Sequence, residues 1–216
     1  MPIPKKTETL LRTTAKERVY NTLRQWIIDG TMLPDERLND KELAQYFSVS
    51  RTPVREALQM LMEQKLVTII PSSGTYVAPI DQEDMVYVYQ LLIRLQTTAI
   101  ELIINKLSSA ELAQLASINE AFLQHANHDS ASDMTKADFD FHHYLAQYSG
   151  NPYLITFSDN LIVKACRNEN RFFKQSRNPQ ISYEHHQKII EALHNKDISM
   201  AQKMIQINWE VSFCQK

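Results

Sequence analysis

A mostly helical chain in two parts, a small mixed module followed by an all-helical bundle, is predicted by three features of the sequence. Glycine is nearly absent: only Gly30, Gly74 and Gly150 occur in 216 residues, and each closes an apolar-periodic segment as a turn residue does. β-Branched and aromatic runs are confined to VTII (67–70) and TYVAP (75–79), which flank PSSG. Beyond Pro79 the chain reads as one helical period after another, separated by short polar breaks.

Taken in order, Thr14-Ala-Lys-Glu17 is a capping box, and Val19, Leu23, Trp26 and Ile27 carry the first helix to Asp29-Gly30. After TMLPDERL (31–38), Asn39 caps a short helix whose buried side is Leu43, Ala44 and Phe47. Ser50 caps the third helix, which starts within SVSRTPVREAL (48–58). There Arg51 and Arg55 share one face while Val54, Ala57, Leu58 and Leu61 share the other, and Pro53 sits in the first turn, where its missing N–H breaks no bond. VTII-PSSG-TYVAP is a β-hairpin. Helix, helix, helix, hairpin is the plan of a winged helix-turn-helix, whose helix after the tight turn enters the major groove of double-stranded DNA. Residues 1–78 are assigned to this domain, 79–81 to a linker and 82–216 to an all-α helical bundle. The bundle's helices are expected at roughly 82–106, 109–127 (opened by Ser108 to Glu111), 133–149, 152–174, 180–195 and 197–214.

Composition narrows the function classes. With 44% hydrophobic and 22% charged residues the chain is globular, not disordered. No run approaches the roughly 20 apolar residues of a membrane span, and MPIPKKTETLLRTTAKE lacks a secretory apolar core, so a cytoplasmic location away from membranes is expected. Two cysteines, Cys166 and Cys214, make neither a disulfide framework nor a CxxC pair. Residues 1–78 hold 11 Lys and Arg against 9 Asp and Glu, leaving 12 against 16, a slightly basic first part and an acidic second.

The run LPDERLNDKELAQYFSVSRTPVREALQMLMEQKLV (33–67), followed by PSSGTYV (71–77), resembles the DNA-binding domain of GntR-family transcription regulators. ADFDFHHYLAQYSGNPYL (137–154), EHHQKIIEALHNKD (184–197) and AQKMIQIN (201–208) resemble the all-helical FCD ligand-binding domain. The resemblance implies a homodimeric, metabolite-responsive, sequence-specific regulator, a repressor by preference and not an enzyme. Asp35 and Lys65 depart from it, standing where the family often has glycine.

Within that frame Arg51 and Arg55 are the expected base readers, because an arginine fork accepts both O6 and N7 of a guanine. Ser50 and Thr52 at the helix start are placed for a phosphate or base edge. The resemblance makes Lys41 a DNA contact, and Ser72, Ser73 and Gly74 form a small polar wing tip. Without the family context, two arginines at i, i+4 are a solvated face, with Glu56 as a local partner.

In the second domain Asp138 and His142, at i, i+4, point from one helix face toward a common ion. The resemblance implies a divalent metal (zinc, nickel, manganese or magnesium) held by Asp138, His142 and His185, with Asn208 in place of the family's fourth ligand, a histidine. An amide oxygen suits hard cations and weakens the site for zinc or nickel. His143 and His186 are placed one residue off the facing positions. The effector is expected to be a small carboxylate, clamped by Arg94, shifted by two from the family's arginine position where Leu92 stands, or by the i, i+4 pair Arg167 and Arg171. Two alternatives compete with a sensory regulator: a metal-dependent hydrolase-like helical domain, since Asp and His ligands activate water, and a dimeric DNA-binding factor whose sensory site has decayed.

Overall fold

In the computed structural model, residues 14–127, 131–173 and 179–214 are described. The first helix, α1 (Ala15–Ile28), opens on the reciprocal box: Glu17 Oε2 accepts from Thr14 N at 2.8 Å and Thr14 Oγ1 from Glu17 N at 3.2 Å. A two-residue strand, β1 (Arg37–Leu38), precedes α2 (Asp40–Tyr46), where Asn39 Oδ1 accepts from Lys41 N at 3.0 Å. Then follow α3 (Arg51–Glu63), β2 (Val67–Ile70) and β3 (Gly74–Val77). The sheet is antiparallel in the order β1-β3-β2, with Tyr76 opposite both Arg37 and Thr68. The strand β1 was not predicted, because two residues carry no period to read; it is set by Val77 N donating to Glu36 O at 2.9 Å and Asp35 N to Val77 O at 2.9 Å.

The helical region comprises α4 (Gln82–Ile103), α5 (Ser109–Asn127), α6 (Ala131–Tyr148), α7 (Pro152–Phe173), α8 (Pro179–His194) and α9 (Ile198–Cys214). Each of these six packs on two neighbours in the cyclic order α4-α9-α8-α5-α6-α7, and α4 also touches α6 across the ring. Side chains directed at the ring axis are therefore enclosed on all sides. Leu92, Ile100, Phe122, Phe141, Ile162, Ile205 and Trp209 fill it and are fully buried.

Contacts divide the chain into two units, Pro79 onward belonging to the second; Ile27–Leu33 groups with that second unit rather than with the winged module. The tie is visible at Asn170 of α7, whose Nδ2 donates to Ile28 O at 2.6 Å. Among the described residues no helix is long and apolar enough to cross a membrane.

Candidate functional site

In the winged unit α3 is amphipathic as its sequence dictates. Val54, Ala57, Leu58 and Leu61 are buried, while Arg51, Thr52 and Arg55 are exposed. Ser50 is the N-cap, and its side chain makes no cap hydrogen bond. Lys41 is exposed in the first turn of α2, and Ser72 and Ser73 are exposed at the wing tip, beside a half-buried Gly74. The wing is stiffened from β1: Arg37 Nη2 donates to Ser73 O at 3.3 Å, and a Cβ on Gly74 would lie 3.1 Å from Arg37 Nε, at a φ of 144° that side chains rarely adopt. The two arginines pair with a residue the sequence did not single out. Arg51 Nη2 donates to both oxygens of Asp40 at 2.9 Å, and Arg55 Nε donates to Oδ2 at 2.7 Å. Hydrogen bonds from Arg51, then Arg55, hold the Asp40 carboxyl below the usual carboxylate range, so it stays ionised in mild acid.

The second unit places polar groups on its ring axis. Gln96 of α4, Asn119 of α5, Asp138 and His142 of α6, His186 of α8 and Asn208 of α9 are all buried. His186, not His185, faces this centre. On α8 the buried stripe is Ser182, Tyr183, His186, Ile189, Ala192 and Leu193, whereas His185 is half-exposed to its side. One residue is a rotation of about 100° on a helix, enough to take a side chain off the core face.

Hydrogen bonds fix how both imidazoles point. Gln96 Nε2 donates to the backbone oxygen of His142 at 3.2 Å, so the same amide turns its oxygen to His142 Nδ1, 3.3 Å away. Asn119 Nδ2 donates to Tyr183 O at 3.1 Å and its oxygen lies 2.9 Å from His186 Nδ1. An amide oxygen only accepts, so each Nδ1 carries a proton and each ring directs its Nε2 inward. His142 Nε2 there meets Asn208 Nδ2 at 3.2 Å, and His186 Nε2 lies 3.5 Å from Asp138 Oδ1. An imidazole Nε2 this close to a carboxylate oxygen calls for a cation between them, either a proton on the ring or a metal. One ligand atom from each of Asp138, His142 and His186 lies within 4.8 Å of the others, whereas atoms sharing one ion at about 2.1 Å are roughly 3–4 Å apart. The donor set fits a divalent metal after a small contraction and a flip of the Asn208 amide, which frees the His142 Nε2 and turns Oδ1 toward the ion. Phe141 stacks on His186 at 3.9 Å and Trp209 covers His142 at 4.1 Å, so the centre is walled by rings.

The remaining sequence candidates scatter. Arg94 is exposed on α4, two residues from the inward Gln96, so the structure does not bring it to the polar axis. Arg167 is buried on α7, in a run with Asn168, Glu169 and Asn170. The side chain of Arg171 lies outside the described residues. His143 pairs with Asp159 at 2.6 Å, away from the centre. Gln96 and Asn119 were missed, although each interrupts an apolar stripe, Leu92 to Ile100 and Leu115 to Phe122, and that is the signal that marks them.

The sequence matches two family models: bacterial regulatory proteins of the gntR family over residues 15–77, and the FCD domain over residues 87–208. It is 27% identical to the HTH-type transcriptional regulator YdhC of Bacillus subtilis (strain 168), covering 86% of this chain and 84% of that one. It is 24% identical to the gluconate operon transcriptional repressor of Bacillus licheniformis, covering 93% and 84%. The fold superposes on E. coli McbR/YncC with a TM-score of 0.82 at 22% identity, covering 94% and 99%. The chain therefore belongs to the GntR family of transcriptional regulators, its winged helix-turn-helix domain joined to an FCD domain.

Proposed function

We propose that this regulator is a homodimeric repressor that reads a two-fold related operator through α3 and senses a small carboxylate at a divalent-metal centre in its helical domain. The observation that carries the sensory reading is the buried cluster of Asp138, His142 and His186, with both imidazoles directing Nε2 inward. Asp138, His142 and His186 would hold the ion, with Asn208 or water completing its shell. The bound ion would supply a Lewis-acidic position for an effector carboxylate, and the buried Arg167 is the candidate counter-charge. On the DNA side Arg51 and Arg55 read base edges, Ser50, Thr52 and Lys41 hold phosphates, and the Ser72-Ser73-Gly74 wing tip approaches the backbone.

A dimer is supported by an apolar face. Tyr87 and Leu91 of α4 and Tyr153 and Phe157 of α7 are 51–75% exposed, and α4 packs on α7. One small winged module makes too few contacts for specific binding, whereas two address both half-sites. The effector regulates only by binding one arrangement of the two heads better than the other.

The test is a metal titration of metal-stripped protein with zinc and manganese, each with and without simple carboxylic acids, following melting temperature and DNA binding together. Stabilisation by metal, increased by a carboxylate that also changes DNA affinity, is expected. A protein whose melting and DNA binding ignore both ligands would leave the helical domain as a dimerisation device only.

A further inference from the structure

We propose that Asp40 is a positioning residue of the reading face: seated between Arg51 and Arg55, its carboxylate orients both guanidiniums before DNA arrives, so that discrimination between bases depends on it. The inference rests on the assignment of those arginines as base readers.

The geometry is that of a shared anchor. Asp40 lies in the first turn of α2 and the arginines 11 and 15 residues further on, in α3, so the bonds at 2.7 and 2.9 Å tie the two helices of the helix-turn-helix together at its exposed face. The Asp40 side chain is 23% exposed, against 53% for Arg51 and 63% for Arg55, so the carboxylate is recessed behind the two forks. Arg55 is held through Nε. Its terminal Nη1/Nη2 edge, which matches O6 and N7 of a guanine, is thereby left to a base. An exposed arginine otherwise samples many rotamers, and ordering it on DNA costs entropy. The neighbouring acid in the same turn is used differently: Glu42 Oε1 accepts from Asn39 Nδ2 at 2.8 Å and closes the helix cap.

Charge argues the same way. A carboxylate on a surface that approaches phosphates repels them and lowers affinity for every sequence alike. Specificity is a difference of affinities, and a group that weakens all binding while fixing the readers widens that difference. A wrong base then meets arginines that do not readily swing to a nearby phosphate.

Full-length protein is used to select an operator from a randomised duplex library. Affinity is then measured across a salt series for that operator, for single guanine replacements in each half-site, and for a random-sequence duplex. Wild type, Asp40→Asn, Asp40→Ser and the charge-retaining Asp40→Glu are compared. The expected result is that the neutral variants lose about tenfold in the ratio of operator to single-replacement affinity. Random-sequence binding stays equal or tightens, its salt slope steepens by up to about one, and the melting temperature is kept. Asp40→Glu recovers part of the ratio. Three results would overturn the proposal: an unchanged ratio; operator and random-sequence affinities rising together, which makes Asp40 merely repulsive; or both falling with the melting temperature, which makes it merely structural. A wild type that selects no sequence at all overturns the reading assignment beneath it.

Discussion

At the buried centre, His186 and Asn208 are the side chains whose replacement tests the proposed metal binding. Because His186 Nε2 faces Asp138 and His185 is turned half outward, His186→Ala is expected to abolish metal-induced thermal stabilisation while His185→Ala keeps it. Removing an amide that fixes an imidazole, as in Gln96→Ala or Asn119→Ala, should weaken metal binding by roughly 10- to 100-fold without removing a ligand. Asn208→His should raise zinc affinity relative to manganese, since imidazole is the softer donor; equal affinities in isothermal titration would place Asn208 outside the ion's reach. On the DNA side, Arg51→Ala and Arg55→Ala are each expected to lose about 1–3 kcal/mol of discrimination with the fold intact, whereas Lys41→Ala weakens all sequences alike in footprinting. Asp138 and His142 were legible because one helix period relates them. His186 was misread because two histidines follow Glu184 and the EH pattern fits either. Asp40 was not legible, since pairing across the turn between α2 and α3 follows no period.

Helix ends show what an element needs beyond pattern. Three helices close in the same two-bond motif without glycine. After α2, Ser48 N donates to Gln45 O at 3.2 Å and Val49 N to Ala44 O at 3.0 Å; after α3, Lys65 N donates to Met62 O and Leu66 N to Leu61 O, both at 2.9 Å; after α8, Lys196 N donates to Leu193 O at 3.2 Å and Asp197 N to Ala192 O at 2.9 Å. The residues at the turn, Ser48, Lys65 and Lys196, have φ of 53°, 58° and 57°. Left-handed backbone costs an L-residue about 1–2 kcal/mol, offset in part by the lower chain entropy it has when unfolded. Lys65→Gly and Lys196→Gly are therefore each expected to stabilise by about 0.5–1 kcal/mol in denaturant melts; a loss of stability would mean the lysine side chains contribute contacts that outweigh the strain. The glycines at 30 and 150 marked their helix ends in the sequence, but these three ends carried no glycine and were read only from caps and breaks. Helix existence was legible throughout because apolar periodicity is long-range within an element; β1 was not, because β3 imposes it.

Taken whole, the helical domain is a closed ring whose polar axis is reached from five of its helices, α4, α5, α6, α8 and α9. No single helix carries enough of the site to announce it, which is why the Asp138-His142 pair was readable and the centre as a whole was not. A ligand that contracts Asp138, His142 and His186 toward one ion draws α6 and α8 together, and neighbours in a packed ring shift with them. The outer face of α4 and α7 is where such a shift would meet a partner. Placing a charge there, with Leu91→Lys or Phe157→Lys, is expected to yield monomers by sedimentation at micromolar concentration, and monomers lose most operator affinity. A dimer that persists in both variants would move the interface elsewhere.

Operator affinity of the full-length protein as a function of metal concentration, compared between wild type and His186→Ala, tests most directly the proposal that the buried centre controls DNA binding through a bound metal. The expected result is a metal-dependent change of at least about fivefold in wild type, a typical coupling magnitude, that is absent from the variant although both bind the operator without metal. Equal operator affinity for wild type with and without metal, or an unaltered metal response in His186→Ala, would contradict it.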